Sequence, residues 1–124
     1  MESKLIVRTP SSAQEWDAYY DLRFRVLREP LGQPRGSERN EGDETGEHFA
    51  LYENGILVAV ARMDELDRSA CQTRFVAVET KDQGRGYGKM IMQAVEQRAK
   101  EKGCELMVLH ARVYAFDFYL NLGY

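Results

Sequence analysis

A glycine-rich turn lies between an apolar segment and an amphipathic segment, and this order restricts the folds open to the chain. The apolar segment is Arg74–Val78, and the turn reads Gln83-Gly-Arg-Gly-Tyr-Gly-Lys89. The order predicts a buried strand, a turn and the start of a helix. The first N–H groups of a helix lack partners within it, and the macrodipole leaves a partial positive charge there. We therefore expect the turn to present main-chain N–H groups to an anion such as a phosphate.

Three glycines at alternate positions support this interpretation. Gly84, Gly86 and Gly88 lack the Cβ atoms that would hold a pyrophosphate away from the main chain, and glycine allows a positive φ where a turn needs it. The pattern is not the Gly-x-Gly-x-x-Gly dinucleotide fingerprint, because position 89 is lysine. It is not a nucleotide-triphosphate loop either, since no Gly-Lys-Ser or Gly-Lys-Thr follows. Phosphate binding and a flexible surface turn remain as alternatives.

The remaining elements predict an α+β chain with a mixed sheet. Strands are expected over 5–9, 48–52, 56–63, 71–78 and 105–110. Helices are expected after the capping-box pattern Ser12–Glu15, over 86–102 and, as a short aromatic-faced helix, over 114–121. Asn54-Gly55 predicts a hairpin turn, so the middle strands should form an antiparallel meander. The helix over 86–102, with Glu96 among its water-facing residues, should join two parallel strands by a right-handed crossover.

Length and charge limit the class of protein. A chain of 124 residues predicts a single domain over 1–124. A net charge of −3 and a pI near 5.4 argue against nucleic-acid binding, which needs a basic face. The apolar runs are too short to cross a bilayer and the N-terminus lacks a secretory core, so a cytoplasmic protein with no membrane role is expected. Cys71 and Cys104 are outside any Cys-x-x-Cys spacing, which predicts buried thiols and no metal site.

The turn resembles the acyl-CoA signature of the GCN5-related N-acetyltransferases (GNAT), Arg/Gln-x-x-Gly-x-Gly/Ala, matched here by Gln83–Gly88. The neighbouring segments follow the family's order, with Leu106–His110 and Phe118–Tyr124 after the helix. The resemblance implies the GNAT acyl-CoA acyltransferase fold. It also implies direct transfer of an acetyl group from acetyl-CoA to a primary amine of a small molecule or peptide.

The same resemblance implies which residues contact the donor. In the family, the strand before the turn pairs its main chain with the pantetheine arm, and the turn binds the pyrophosphate. The implied cofactor-binding residues are Val76, Ala77, Val78, Gln83, Gly84, Arg85, Gly86, Tyr87, Gly88 and Lys89. Many members use a tyrosine of the last helix as general acid, and Tyr119 occupies that position. A phenol with a pKa near 10 suits a thiolate leaving group. Packing in the core is the alternative role for Tyr119.

The general base is less well defined. Some relatives carry a glutamate on the strand before the turn, where this chain has Gln72. Others carry a carboxylate at the end of the strand after the helix, where this chain has His110, whose ordinary pKa near 6.5 suits proton transfer. A packed, hydrogen-bonded histidine is the alternative. Glu79, Asp64 and an ordered water chain are further candidates.

Two departures from the family pattern lead to further expectations. Tyr114 stands where relatives often have an asparagine, so one contact with the donor or acceptor should differ. The family normally continues with two further strands, which the chain lacks by this reading because it ends at Tyr124. The strand over 105–110 should then have an open edge, which favours self-association as a homodimer.

Two other functions compete with acetyl transfer. The first is a CoA-binding module of the same fold that has lost transfer chemistry, and the second is a domain that retains only the fold. The acidic segment Glu38–Glu47 has two interpretations. Its negative charge would suit a cationic acceptor, or the segment is an ordinary solvated loop.

Overall fold

Six strands form one mixed sheet in their order along the chain, as seen in a computed structural model that describes residues 4–67, 69–109 and, by backbone alone, 112–115. The strands are β1 Leu5–Arg8, β2 Glu47–Glu53, β3 Ile56–Glu65, β4 Ala70–Val78, β5 Leu106–Leu109 and β6 Arg112–Ala115. The helices are α1 Ala13–Leu27 and α2 Tyr87–Glu101. Short 3-10 turns cover Glu29–Leu31, Glu41–Asp43 and Thr80–Asp82. Neighbouring strands are antiparallel except β4 and β5, which are parallel as the sequence predicts.

Helix α1 begins where the capping pattern predicts. The Ser12 side chain accepts a hydrogen bond from the Glu15 N–H at 3.1 Å, which satisfies one of the unpaired donors of the first turn. The reciprocal half of a capping box is replaced, because the Glu15 carboxylate accepts from Ser11 and Arg8 instead. Tyr19 of α1 then packs on one face of the sheet with other buried side chains: Leu22, Ala50, Tyr52, Val60 and Ala77.

Helix α2 packs on the opposite face of the sheet. Its buried residues Ile91, Val95 and Ala99 contact the larger core cluster, as their spacing predicts. The prediction that Glu96 faces water is wrong, because only 1% of this residue is exposed. The buried face of α2 is wider than the apolar stripe, and it extends from Met92 to Glu96, which is one turn further along the helix.

The C-terminal part of the sheet differs from two predictions. Tyr114 and Ala115 were expected to begin a helix, but they belong to β6 and pair with Met107 and Leu106. The expected open edge on β5 is therefore also wrong, and the argument for a homodimer through this edge falls with it. The main chain of β6 pairs with the exposed edge of β5, which a helix could not do, and Val113 and Tyr114 favour the strand conformation. The rest of the predicted helix, and the candidates His110 and Tyr119, lie outside the described residues.

The two cysteines are buried, as expected, but they are not separate thiols. A disulfide joins Cys71 in β4 to Cys104, which precedes β5, with 6.3 Å between their Cα atoms. The link ties the parallel pair of strands together at the end remote from the glycine turn. Within the described ranges, neither helix has the length and apolar character needed to cross a bilayer.

Candidate functional site

The glycine turn has the conformation that its sequence predicts. Gly84 and Gly86 have φ angles of 85° and 86°, a region that side chains with a Cβ rarely adopt. A Cβ added at either glycine would meet nothing within 4 Å, so the space in front of the turn is open. Gly88 differs, because it lies in the first turn of α2 and an added Cβ would make an ordinary contact of 3.6 Å with Val78 Cγ2. The backbone therefore requires glycine at 84 and 86 but not at 88.

Helix α2 begins without a capping side chain. Its N-cap residue is Gly86, and the first turn contains no acidic residue. The N–H groups of Tyr87, Gly88 and Lys89 consequently point out of the N-terminal end with no acceptor from the helix itself. The dipole of a 15-residue helix adds partial positive charge at the same place. This geometry suits an anion, while phosphate binding stays a prediction.

Side chains of the turn are held by acidic neighbours. The Arg85 guanidinium donates to Asp82 at 3.0 Å and to Glu53 at 3.4 Å. The Tyr87 hydroxyl donates to Glu53 at 2.6 Å, and this bond raises the tyrosine pKa. The Gln83 amide donates to the Val78 carbonyl at 3.2 Å. These contacts fix the turn relative to the end of β4 and to β2.

A β-bulge lies in β4 just before the turn. Val60 pairs with Ala77 and Arg62 pairs with Arg74, so two residues of β4, Phe75 and Val76, stand opposite Ala61 alone. Phe75 has a φ of 57°, a conformation that costs about 1–3 kcal/mol for a residue with a Cβ. Such strain persists where the surrounding structure requires it, and a bulge re-aims the strand that contains it.

Beyond this bulge β4 and β5 no longer pair. Among the described residues, the two strands pair only where Ala70–Gln72 of β4 lies beside Leu106–Val108 of β5. Within the described residues, the edge of Val76–Val78 that faces away from β3 therefore has no strand beside it. An extended ligand chain can pair with such an edge through main-chain hydrogen bonds. The predicted pantetheine-contacting residues thus border an open edge that leads to the glycine turn.

A cavity of about 370 Å³ lies where the two strands diverge. Its lining residues come from the end of α1, from β4 and from β5: Leu27, Arg28, Gln72, Thr73, Arg74, Phe75, Val76 and Leu109. The cavity and the turn thus adjoin opposite ends of Val76–Val78. Gln72, which stands where some relatives carry a glutamate base, lines this cavity.

The remaining carboxylate candidates for the base are bound to arginines. Glu79 accepts from Arg25 at 2.8 Å, and this contact lowers the glutamate pKa. Asp64 accepts two hydrogen bonds from Arg62, each 2.8 Å long. The lowered pKa makes Glu79 a poor proton acceptor near neutral pH. Neither residue lines the cavity.

Acidic residues of the segment Glu38–Glu47 are also paired within the chain. Asp43 accepts from two buried arginines, Arg23 at 2.8 Å and Arg62 at 3.0 Å. Glu47 accepts from Arg98 at 3.0 Å. Two carboxylates of this segment, Asp43 and Glu47, thus hold the loop against α1, β3 and α2. It lies outside the cavity lining.

Three residues that shape the cavity were not predicted from the sequence: Arg28, Arg74 and Phe75. Arg28 follows α1 directly and is the third arginine of the group 23, 25 and 28, which is the sequence signal that could have found it. For Phe75 there is none, because the bulge that places it depends on pairing with β3. No local pattern encodes that register shift.

Comparison with known proteins agrees with this geometry. The sequence profile described as the acetyltransferase (GNAT) family matches residues 14–124. A candidate acetyltransferase of Bacillus subtilis (strain 168) is 28% identical over 121 residues, which are 95% of this chain and 82% of that protein.

Two solved structures share the fold. A candidate N-acetyltransferase from Lactobacillus plantarum has a TM-score of 0.74 at 24% identity, over 97% of this chain and 82% of that one. A GNAT family acetyltransferase from Elizabethkingia anophelis, solved with acetyl-CoA bound, has a TM-score of 0.66 at 18% identity, over 98% of this chain and 74% of that one. These likenesses confirm the predicted fold.

Proposed function

Because the chain belongs to the acetyltransferase (GNAT) family, we propose that it transfers the acetyl group of acetyl-CoA directly to a primary amine of a small molecule or peptide. One observation carries this proposal. The edge of Val76–Val78, which has no strand beside it among the described residues, runs from the cavity to the N-terminus of α2, which no side chain caps. A single long thioester with a phosphate-bearing end fits both features at once.

The donor-binding role falls on main-chain groups. The N–H groups between Gly84 and Lys89 would hold the pyrophosphate, and the open spaces in front of Gly84 and Gly86 leave room for it. The edge of Val76–Val78 would pair with the pantetheine arm, which directs the thioester toward the cavity. The structure from Elizabethkingia anophelis, solved with acetyl-CoA bound, supports this assignment by its shared fold.

Transfer to an ammonium acceptor moves three protons. The nitrogen must lose one proton before it forms a bond to the acetyl carbon and a second one as the amide forms, and the sulfur must gain a proton as the carbon–sulfur bond breaks. We assign the protonation of sulfur to Tyr119 and the removal of protons from nitrogen to His110 or to water, on the resemblance to the family. The ion pairs of Glu79 and Asp64 support this assignment, because both carboxylates already bind arginines and neither lines the cavity.

A CoA-binding module without transfer chemistry is the second candidate. The observation that favours it is the amide of Gln72 at the cavity, where a carboxylate base stands in some relatives. An amide cannot accept the proton of an ammonium group usefully. This candidate predicts CoA binding with no release of free CoA from acetyl-CoA in the presence of any amine.

The test follows free CoA with a thiol reagent while acetyl-CoA and a panel of primary amines are mixed with the protein. Amine-dependent release supports transfer, and release from none of the amines refutes it. The pH–rate profile of a His110→Ala variant then tests the general base. If His110 is the base, the ascending limb of the profile should shift or vanish. An unmoved limb would assign proton removal to water or to another residue.

We also propose that the protein acts in the cytoplasm, where acetyl-CoA is available. Cytoplasmic thiols are usually kept reduced, so this location requires that the Cys71–Cys104 disulfide form only after the protein leaves the cell. Alkylation of a fresh lysate followed by mass spectrometry should then find Cys71 and Cys104 as thiols. Finding them joined there would contradict this location.

A further inference from the structure

Four guanidinium groups surround one aromatic ring at the cavity wall. Their central carbons lie 4.3 Å (Arg23), 4.9 Å (Arg62), 5.1 Å (Arg74) and 5.6 Å (Arg28) from the centre of the Phe75 ring. The face of the ring attracts cations, but one ring cannot neutralise four charges. The charge balance of this cluster therefore depends on nearby carboxylates.

Only two of the four arginines are paired with carboxylates. Asp43 binds both Arg23 and Arg62, and Asp64 binds Arg62. Within the part of the chain that the structure describes, neither Arg28 nor Arg74 forms an ion pair. The Nε atom of Arg28 is buried and has no hydrogen-bond partner there. A buried donor left without an acceptor destabilises the fold, and a bound acceptor group would relieve that cost.

These two arginines line the same cavity. The other lining residues are apolar or uncharged, so among the residues that the structure describes two positive charges face the space and no carboxylate lines it. The cavity adjoins Val76, where the open edge of β4 begins. An acceptor held there would lie beside the thioester that the proposed function places along that edge.

We propose that Arg28 and Arg74 bind an anionic group of the acceptor, so that the substrate is a primary amine that also carries a carboxylate or a phosphate. This inference rests on the proposed acetyl transfer. Guanidinium groups bind both oxyanions with two parallel hydrogen bonds, and they bind them most strongly when partly desolvated. The acidic segment Glu38–Glu47 contributes no residue to this cavity, so its charge does not oppose the binding of an anion there.

The test compares acceptors of matched shape and different charge. We would measure kcat/KM for 4-aminobutyrate against 4-aminobutanamide, and for 3-aminopropylphosphonate against propylamine, with acetyl-CoA held constant. Each anionic amine should exceed its neutral partner by roughly 10²-fold, as expected for two charge-assisted contacts of about tenfold each. The carboxylate and phosphonate arms show which oxyanion the site prefers.

Variants assign the preference to these side chains. Arg28→Gln and Arg74→Gln should each lower the ratio of anionic to neutral kcat/KM by roughly tenfold, mainly by raising KM for the anionic amine. The matched control is Arg98→Gln. Arg98 lies on α2, pairs with Glu47 and does not line the cavity, so this variant should keep the wild-type ratio. Two results would overturn the proposal: equal kcat/KM for anionic and neutral amines in wild type, or a ratio that is unchanged in both cavity variants.

A binding measurement separates this proposal from the proposed function. Calorimetry of 4-aminobutyrate and of 3-aminopropylphosphonate is done on the CoA-saturated protein, with wild type and both cavity variants. If no amine is acetylated but an acid binds to wild type and more weakly to both variants, acetyl transfer fails and the anion site stands. If amines are acetylated without preference for charge, only the anion site fails. If neither acid is acetylated or bound, the anion site fails too.

Discussion

Arg62 lies directly opposite Arg74 in the antiparallel β3–β4 pair. Like charges at facing positions destabilise a sheet unless other groups neutralise them. Asp43 and Asp64 neutralise Arg62, whose side chain is only 1% exposed. Arg74 is exposed and lines the cavity. The two arginines therefore have different roles, since one holds the loop that follows α1 and the other faces the proposed acceptor.

Replacing Arg62 should destabilise the fold strongly. In Arg62→Ala, Asp64 loses its arginine partner and Asp43 retains only Arg23. Breaking a buried ion pair from one side costs about 3–5 kcal/mol, because the remaining charge is left uncompensated. The free energy of unfolding from urea titration measures this loss.

The control is Arg98→Ala, which breaks an exposed ion pair with Glu47. Exposed pairs contribute little because water and salt screen them. Equal losses in the two variants would show that Arg62 does not act as a buried charge.

Stability should depend on pH through His48. Its Nε2 lies 2.9 Å from the Asp43 carbonyl, so this nitrogen donates, and its Nδ1 accepts from the Tyr19 hydroxyl at 2.8 Å. Burial lowers the pKa of His48, with Arg23 and Arg62 acting in the same direction. The unfolded chain then binds more protons than the folded one between the lowered pKa and about pH 6.5. The free energy of unfolding should therefore fall as pH falls through this window.

A His48→Gln variant tests the origin of that slope. Urea titrations at several pH values between about 5 and 7 should show a smaller dependence on pH in the variant. A slope identical to that of wild type would assign the dependence to another group.

The disulfide should stabilise the fold by a measurable amount. Cys71 and Cys104 are separated by 33 residues in sequence, and closing a loop of this size stabilises by about 3–4 kcal/mol in the chain-entropy account. Unfolding in urea with and without a reductant measures the difference. A Cys71→Ser and Cys104→Ser double variant is the control and should not respond to the reductant, whereas an unchanged wild type would contradict the prediction.

The sequence predicted those parts of the fold that local patterns encode. Asn54-Gly55 predicted the hairpin of β2 and β3, and the glycines at 84 and 86 predicted the positive φ angles of the turn. The exposure of Glu96 was predicted wrongly because its burial depends on how much of the α2 surface the sheet covers. Residues 114 and 115 were misplaced because pairing with β5 overrides the local preference of a short segment.

The conformation of the glycine turn was easier to predict than the cavity. A turn with positive φ leaves a glycine pattern in the sequence, whereas the cavity depends on the bulge at Phe75 and on two arginines 46 residues apart, Arg28 and Arg74. The sequence left a cationic acceptor and an ordinary solvated loop as alternatives for the acidic segment. Its pairing with Arg23, Arg62 and Arg98 depends on tertiary contacts that no local pattern encodes.

Tyr119 should affect turnover more than donor affinity. If its hydroxyl protonates the leaving sulfur, Tyr119→Phe should lower kcat by roughly 10²-fold, which is typical for loss of a positioned acid. The KM for acetyl-CoA should stay near the wild-type value. Steady-state kinetics with a saturating amine measure both constants, and a variant with wild-type kcat would return Tyr119 to a packing role.

Binding of CoA at the N-terminus of α2 is the central claim, and Gly88→Asp tests it most directly. The backbone at 88 accepts a Cβ, and an acid in the first turn of a helix favours the helix dipole, so the variant should unfold at the same urea concentration as wild type or a higher one. Its carboxylate would compete with the pyrophosphate for the same N–H groups. Gly88→Ala, which adds the Cβ alone, is the control. Calorimetric titration of CoA should show an affinity at least roughly tenfold weaker for Gly88→Asp than for Gly88→Ala. Equal CoA affinity in the two folded variants would contradict the account.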